Sequence, residues 1–202
     1  MQKLWKPLVV VISLAPAARL LHALLTGGLG VNPAETLQLA TGLWAFRFLI
    51  ATLAVTPLRR LTGWNGIIRF RRMLGLFAFF YATLHVCTWI VLDHYLAWDE
   101  ALADIAKRPF ITAGMVAFAS MVPLALTSTK GWIRRLGRRW QKLHRLIYAS
   151  AIAAALHFVW KVKVPIGEPV YYAAVVAALL IFRVVWHVRA DFRARVSQPS
   201  AR

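Results

Sequence analysis

The sequence predicts an all-α polytopic membrane protein, a bundle of six transmembrane helices with both termini in the cytoplasm. Hydrophobic residues make up 60% of the 202 residues. They fall in continuous runs long enough to cross a hydrocarbon core, whereas a transmembrane barrel would show short alternating strands. Basic and acidic residues also fall in alternate connections between the runs. Residues 1–202 are therefore expected to form a single domain.

Six apolar runs are long enough to span the membrane as helices. The first follows Lys3 and Lys6 and resembles a signal peptide, but it continues to Leu25 and so reaches spanning length. The glycines of residues 27–30 indicate a helix cap and turn, and Asn32 and Pro33 start the next segment. The predicted spans are 8–25, 43–58, 73–92, 110–127, 143–160 and 170–188.

The net charge of +18 marks one side of the membrane rather than a nucleic-acid partner. Because basic loops stay in the cytoplasm, the positive-inside rule places both termini there. The basic clusters are Lys3 and Lys6; Arg59, Arg60, Arg69, Arg71 and Arg72; Lys130, Arg134, Arg135, Arg138, Arg139 and Lys142; and Arg189, Arg193, Arg195 and Arg202. The other connections hold six of the seven acids: Glu35, Asp93, Asp99, Glu100, Asp104 and Glu168.

The single cysteine, Cys87, limits the redox chemistry of the chain. One cysteine excludes an intramolecular disulfide, a CxxCH haem attachment and a cysteine-ligated cluster within one chain. Any haem must therefore be held non-covalently.

Two histidines in apolar runs, His85 and His157, are the strongest candidate site residues. Each lies about thirteen or fourteen residues into a span that runs outward from the cytoplasm, so both are expected at a similar depth. An ionisable residue at that depth indicates a functional site. Two imidazoles would hold a six-coordinate haem suited to electron transfer. The alternative is a pair of core histidines bonded to backbone or hydroxyl groups.

His144 suggests a second redox site on the cytoplasmic side, about 20 Å from His157 along a helix. On a straight helix the two side chains would point about 140° apart. The matching depth in the third span holds Arg71 and Arg72, which favour propionate or phosphate over iron. A second bis-histidine haem is therefore not supported, and this basic cluster could hold a haem propionate, a flavin phosphate or lipid headgroups.

The remaining histidines have simpler interpretations. His94 and His187 lie near span ends, where interfacial roles are expected. His22 lies three residues after Arg19 on the same helix face, which fits either structural hydrogen bonding or contact with a propionate or quinone.

Several segments resemble one family over nearly the whole chain. GGLGVNP, LIATLAVTPLRR, RRMLGLFAFFYATLHV and the run LALTSTKGWIRRLGRRWQKLHRLIYASAIAAALHFVWKVK are similar to MsrQ, the haem-binding membrane subunits of bacterial periplasmic methionine sulfoxide reductase systems. The resemblance implies a single ferric-reductase-like transmembrane domain in the bacterial inner membrane.

The resemblance also implies cofactors and partners: haem b (one or two), FMN, a membrane quinol as electron donor, and a periplasmic molybdopterin subunit that reduces methionine sulfoxide in proteins. His85, His144 and His157 fall on the family's three histidines, so ligand roles carry over to them. Relatives with four histidines would hold two haems, and Arg71 or Arg72 departs from that pattern here.

The leading hypothesis is an electron-transfer subunit of an oxidoreductase that does not itself reduce methionine sulfoxide. Its acidic loop around Asp99 to Asp104 is expected to dock the partner. One alternative is a haem or flavin carrier fed by a cytosolic flavin reductase. A rival of another class is a small transporter or assembly factor whose histidines relay protons or only pack.

Overall fold

The computed structural model describes residues 5–162 and 167–196, and within them the chain is helical without strands. A 3₁₀ turn, Asn65–Phe70, leads into the third helix, and a π-helical turn, Trp89–Asp93, ends it. The helices are α1 Trp5–Leu25, α2 Pro33–Thr62, α3 Arg71–Thr88, α4 Trp98–Lys107, α5 Pro109–Leu126, α6 Lys130–Leu136, α7 Arg138–Leu143, α8 Leu146–Lys161 and α9 Glu168–Val196.

Six helical segments are long and apolar enough to cross a membrane, which confirms the predicted all-α membrane fold and its six spans. They are Trp5–Leu25, Pro33–Thr62, Asn65–Asp93, Pro109–Leu126, Arg138–Lys161 and Glu168–Ala190. The protein is thus a multi-pass membrane protein. The second helix is much longer than the predicted 43–58, because its polar ends are also helical. Asn32 caps its first turn by accepting a hydrogen bond from the Glu35 backbone.

Two of the polar connections contain helices that the hydropathy pattern did not predict. The connection after the π-helical turn contains α4, an amphipathic helix that buries Ala101 and exposes Trp98 and Leu102. Helix α6 lies in the connection before the fifth spanning segment, and α7 forms the start of that segment. The segment is interrupted at His144 and Arg145, so the angle that a straight helix would give between His144 and His157 does not apply.

The core of the bundle is formed by two helix pairs. Helix α2 packs along α3, α5 packs along α8, and α9 packs against α8 and α2. Their shared core contains Phe46, Leu49, Leu53, Ala78, Met121, Leu124, Ile147, Ala151 and Val176. Helix α1 is peripheral, and apolar side chains such as Val11 and Ile12 are exposed on it, as expected for a lipid-facing helix.

A tyrosine from α3 fastens this peripheral helix to the bundle. The buried hydroxyl of Tyr81 donates a hydrogen bond to the Ser13 carbonyl (2.7 Å) and accepts one from the Ala17 amide (3.0 Å). In a regular helix these two backbone groups would bond each other. Pro16 lies between them and disturbs the backbone hydrogen bonds of the helix. The tyrosine hydroxyl therefore provides the hydrogen-bond partners of the Ser13 carbonyl and the Ala17 amide.

The two ends of the bundle differ in charge. The connections that contain Glu35, Asp93, Asp99, Glu100, Asp104 and Glu168 lie at one end, called here the acidic end. The connections of residues 59–72 and 127–145 lie at the opposite end, called the basic end, because successive spans alternate in direction. This segregation agrees with the charge pattern seen in the sequence.

Candidate functional site

The candidate site is a cavity of about 600 Å³ among α2, α3, α5 and α8, and it reaches the acidic end. This volume lies within the range of roughly 300–1,000 Å³ found for small-molecule and cofactor pockets. His85 from α3 and His157 from α8 both line it. The two histidines singled out from the sequence are therefore brought together in one space.

The two imidazole rings face the same part of the cavity. Their centroids are 6.0 Å apart and their planes are inclined by 73°. His85 belongs to the α2–α3 pair and His157 to the α5–α8 pair, so the site joins the two halves of the bundle.

Each histidine is held by a backbone carbonyl of the neighbouring helix. Nδ1 of His85 lies 2.9 Å from the Gln38 carbonyl, and Nδ1 of His157 lies 2.6 Å from the Phe110 carbonyl. A carbonyl only accepts, so Nδ1 carries the proton in both rings. The unprotonated Nε2 atoms are then the nitrogens available to a metal, as in imidazole ligands oriented through their second nitrogen.

A glycine makes each of these close approaches possible. A Cβ atom on Gly42 would lie 2.9 Å from Cε1 of His85, and one on Gly114 would lie 2.8 Å from Nδ1 of His157. Each glycine follows the accepting carbonyl by four residues, so both lie on the same helix face. Without a side chain at that position the imidazole can reach the carbonyl.

The residues that line the cavity come from two halves of the chain that are related by an internal repeat, which the sequence analysis did not detect. An offset of 72 residues relates Gln38 to Phe110, Gly42 to Gly114 and His85 to His157, and each carbonyl lies 47 residues before its histidine. The same offset relates further lining residues: Leu39 and Ile111, Leu43 and Met115, Ala45 and Ala117, Phe46 and Phe118, Leu49 and Met121, Ala82 and Ala154. A glycine placed 43 residues before each of the two histidines was the available signal.

The acidic-end mouth of the cavity carries the polar groups. Asp104 pairs with Arg108 (2.8 Å) and approaches Nε2 of His94 (3.5 Å), whose ring stands edge-on to Trp89 (centroids 4.7 Å apart). The His94 side chain is only 11% exposed. It therefore lines the mouth of the cavity, at the helix end where the sequence placed it. Lys161 also lines the mouth.

The third histidine of the predicted ligand set lies outside this cavity. His144 stacks on Trp140 (centroids 3.8 Å apart), and its Nδ1 lies 3.1 Å from the Trp140 carbonyl at the basic end. Arg71 is partly buried and within electrostatic range of His144, whereas Arg72 is exposed. The offset of 72 residues pairs His144 with Arg72, so no histidine faces it from the other half of the repeat.

The other candidate residues remain apart from the cavity. His22, Arg19 and His187 are exposed, and Cys87 is exposed on α3. Within the described residues no group of three or more His, Cys, Asp or Glu side chains could hold a bare metal ion. The sequence reasoning also passed over Arg183, although this basic residue lies within the predicted span 170–188.

The two imidazoles would suit a metal that takes nitrogen ligands, because both Nε2 atoms are free of the carbonyls that hold Nδ1. Their ring centroids lie 6.0 Å apart in one cavity, so both could contribute to one site. The surrounding wall is apolar and aromatic, as suits the flat face of a porphyrin rather than a hydrated ion.

Comparison with known proteins defines the class of this bundle. The model of the family "Ferric reductase like transmembrane component" matches residues 41–155, from within α2 to within α8. No solved structure gives a significant match.

Curated relatives indicate one family within this class. A protein of Herminiimonas arsenicoxydans is 49% identical over 90% of this chain and 84% of its own length, and one of Xanthomonas euvesicatoria pv. vesicatoria is 50% identical over 89% and 85%. A protein of Brucella ovis is 50% identical over 90% and 81%. Each is named the heme-binding subunit MsrQ of protein-methionine-sulfoxide reductase. The chain belongs to the MsrQ family.

Proposed function

We propose that this chain is a b-haem electron-transfer subunit of a protein-methionine-sulfoxide reductase system. The observation that carries the proposal is the pair of imidazoles, His85 and His157, that lie 6.0 Å apart, centroid to centroid, in one largely apolar cavity. The printed names of the relatives, heme-binding subunits of that reductase, support it. The proposed domain comprises residues 1–202.

The residues of the chain define what the site does. His85 and His157 supply two neutral imidazoles through Nε2, and the Gln38 and Phe110 carbonyls hold both rings in that tautomer. A haem held by these two imidazoles would exchange one electron. The apolar part of the wall would limit the access of water to it.

The charge pattern of the sequence supports one orientation of the bundle, and the direction of electron flow proposed here rests on that orientation. The basic end faces the cytoplasm under the positive-inside rule, so the acidic end and the cavity mouth face the periplasm of a bacterial inner-membrane protein. We propose a membrane quinol as the electron donor and a periplasmic molybdopterin subunit as the acceptor. Methionine sulfoxide is then reduced, for the repair of oxidised proteins, on that subunit and not on this chain.

A second cofactor position is proposed at the basic end. His144 lies there beside Trp140, with Arg71 in electrostatic range. A second haem or FMN would use His144, Arg71 and the exposed Arg72. Electrons from a cytosolic flavin reductase would enter at this end, which is the alternative route to the quinol route.

The anchored histidines favour a cofactor site over a transporter or assembly factor. A proton relay needs imidazoles that exchange protons at both nitrogens, and here both Nδ1 atoms bond backbone carbonyls. No carboxylate lies beside the two rings among the described side chains; the carboxylates that line the cavity are at its mouth.

The reduced-minus-oxidised visible spectrum of the detergent-purified protein tests the proposal, with haem quantified per chain. We expect a b-type signal that His85→Ala and His157→Ala each abolish. His22→Ala and His187→Ala are matched controls on exposed histidines and should retain it. His144→Ala should leave this signal in place and change only a second one. A colourless wild-type protein that stays colourless after addition of haem would refute the proposal, as would an intact spectrum in His85→Ala.

A further inference from the structure

A buried arginine, Arg183, lies in the membrane-spanning part of α9. It is 7% exposed. One terminal nitrogen donates to the Tyr148 hydroxyl and the other to the Leu53 carbonyl, each over 2.7 Å. These acceptors are neutral, so they satisfy donors without balancing the charge. A buried guanidinium without a counter-charge is costly in a membrane.

A second arginine lies at the same end of the bundle. Arg71, at the start of α3, is within electrostatic range of both Arg183 and Tyr148. Two like charges in one partly buried site repel each other, which adds to the cost. In the described part of the chain both salt bridges involve Asp104 at the acidic end. The arginine pair at the basic end therefore needs an anion from outside the described side chains.

Unpartnered polar atoms mark the same region. Nε of Arg183, Nε2 of His144 and Oγ1 of Thr56 are buried without a hydrogen-bond partner among the described residues. His144 precedes Tyr148 by four residues, and Thr56 follows Leu53 by three along α2, about one helical turn in each case. Buried polar atoms almost always have partners, so several exceptions close together indicate a ligand.

We propose that Arg71 and Arg183 bind one oxyanionic group, a carboxylate or a phosphate ester, at the basic end between α3, α8 and α9. Guanidinium groups bind both anions through paired N–H donors. The unpartnered Nε of Arg183 and the Arg71 guanidinium are the primary donors. Tyr148 fixes the position of the Arg183 side chain, and the Thr56 hydroxyl donates to a remaining oxygen. The site shares Arg71 with the second cofactor position proposed above but does not require a haem between His85 and His157.

Three sources carry this chemistry, and the test distinguishes them. Purified protein is assayed per chain for haem as the pyridine complex, for flavin after acid release, and for phospholipid phosphorus after solvent extraction. We compare Arg183→Met and Arg71→Met with Arg134→Met, which removes the same charge from an exposed arginine of α6. We expect one of the three contents to fall by about one molecule per chain in Arg183→Met and Arg71→Met and to stay unchanged in Arg134→Met.

The content that falls identifies the source: haem indicates a propionate, flavin its phosphate, and phosphorus a lipid headgroup. Arg183→Lys retains the positive charge and should retain more of that content than Arg183→Met. It also serves as the test variant if Arg183→Met does not elute as a single species. Equal contents of all three in Arg183→Met, Arg71→Met and Arg134→Met would overturn the proposal. The signal that depends on His85 is recorded in every variant, so failure of the anion site is separable from failure of the haem site.

Discussion

A Cβ atom on Gly114 would lie 2.8 Å from Nδ1 of His157, closer than such atoms approach in proteins. The same relationship holds between Gly42 and His85 at 2.9 Å to Cε1. Each glycine thus keeps its imidazole against the carbonyl that fixes its tautomer. The bound position of each histidine depends on the absence of a side chain on the opposite helix.

Gly42→Ala and Gly114→Ala should each weaken haem binding by displacing the facing imidazole. Overpacking of this kind costs about 1–3 kcal/mol, or roughly one to two powers of ten in haem affinity. Haem titration of the apo protein, followed by absorbance, measures the effect. Gly75→Ala is the control, because its Cβ would contact Thr52 at an ordinary 3.6 Å. Affinities equal to that of Gly75→Ala would show that the close approach has no role in binding.

Tyr81→Phe should weaken the attachment of α1 to the bundle without altering the haem site. The change removes one hydroxyl that bonds both Ser13 and Ala17 and leaves these backbone groups without that partner. Loss of a buried partner costs about 1–3 kcal/mol. Thermal unfolding in detergent should therefore occur at a lower temperature than in the wild type. Tyr171→Phe, on a residue that is 65% exposed, is the control. An unchanged unfolding temperature for Tyr81→Phe would contradict the anchoring role.

The fold could be predicted from the sequence because each membrane-spanning helix is visible in its own segment as a continuous apolar run. Helix α4 was not predicted because apolar and charged residues are mixed within it. Its mean hydropathy is therefore that of a polar loop. It folds because Ala101 packs against Trp89 and Ile111 of other elements. That contact is not visible in the segment itself.

The candidate site could be predicted only in part, because part of it depends on contacts between distant segments. His85 and His157 could be singled out because a histidine in an apolar run is unusual and both were expected at the same depth. Their carbonyl partners lie 47 residues away, on another helix of each pair. Backbone acceptors have no sequence signature, so only the paired glycines could have indicated them. Arg183 did carry a signal, a charge within an apolar span.

Asp99 and Glu100 are the acids that we expect to steer the reductase partner. Both are exposed in the first turn of α4, whereas Asp104 is already paired with Arg108 and His94. Asp99→Asn with Glu100→Gln should slow reduction of the periplasmic partner by quinol in liposomes, most at low ionic strength, because steering is screened by salt. Glu168→Gln removes another exposed acid and is the control. A rate with unchanged salt dependence would exclude this docking surface.

The orientation of the bundle in the membrane determines on which side the proposed acceptor could take electrons. Because Cys87 is the single cysteine, its replacement allows one new thiol at a time to be labelled. In a Cys87→Ser background, Glu100→Cys and Lys130→Cys place one exposed thiol at the acidic end and one at the basic end. The positive-inside rule predicts that a membrane-impermeant maleimide labels Glu100→Cys in intact spheroplasts. Lys130→Cys should be labelled only after permeabilisation. The reverse pattern would open the cavity mouth to the cytoplasm, so a periplasmic reductase could not take electrons there. Because haem content does not depend on orientation, this result would refute the proposed acceptor while leaving the haem site intact.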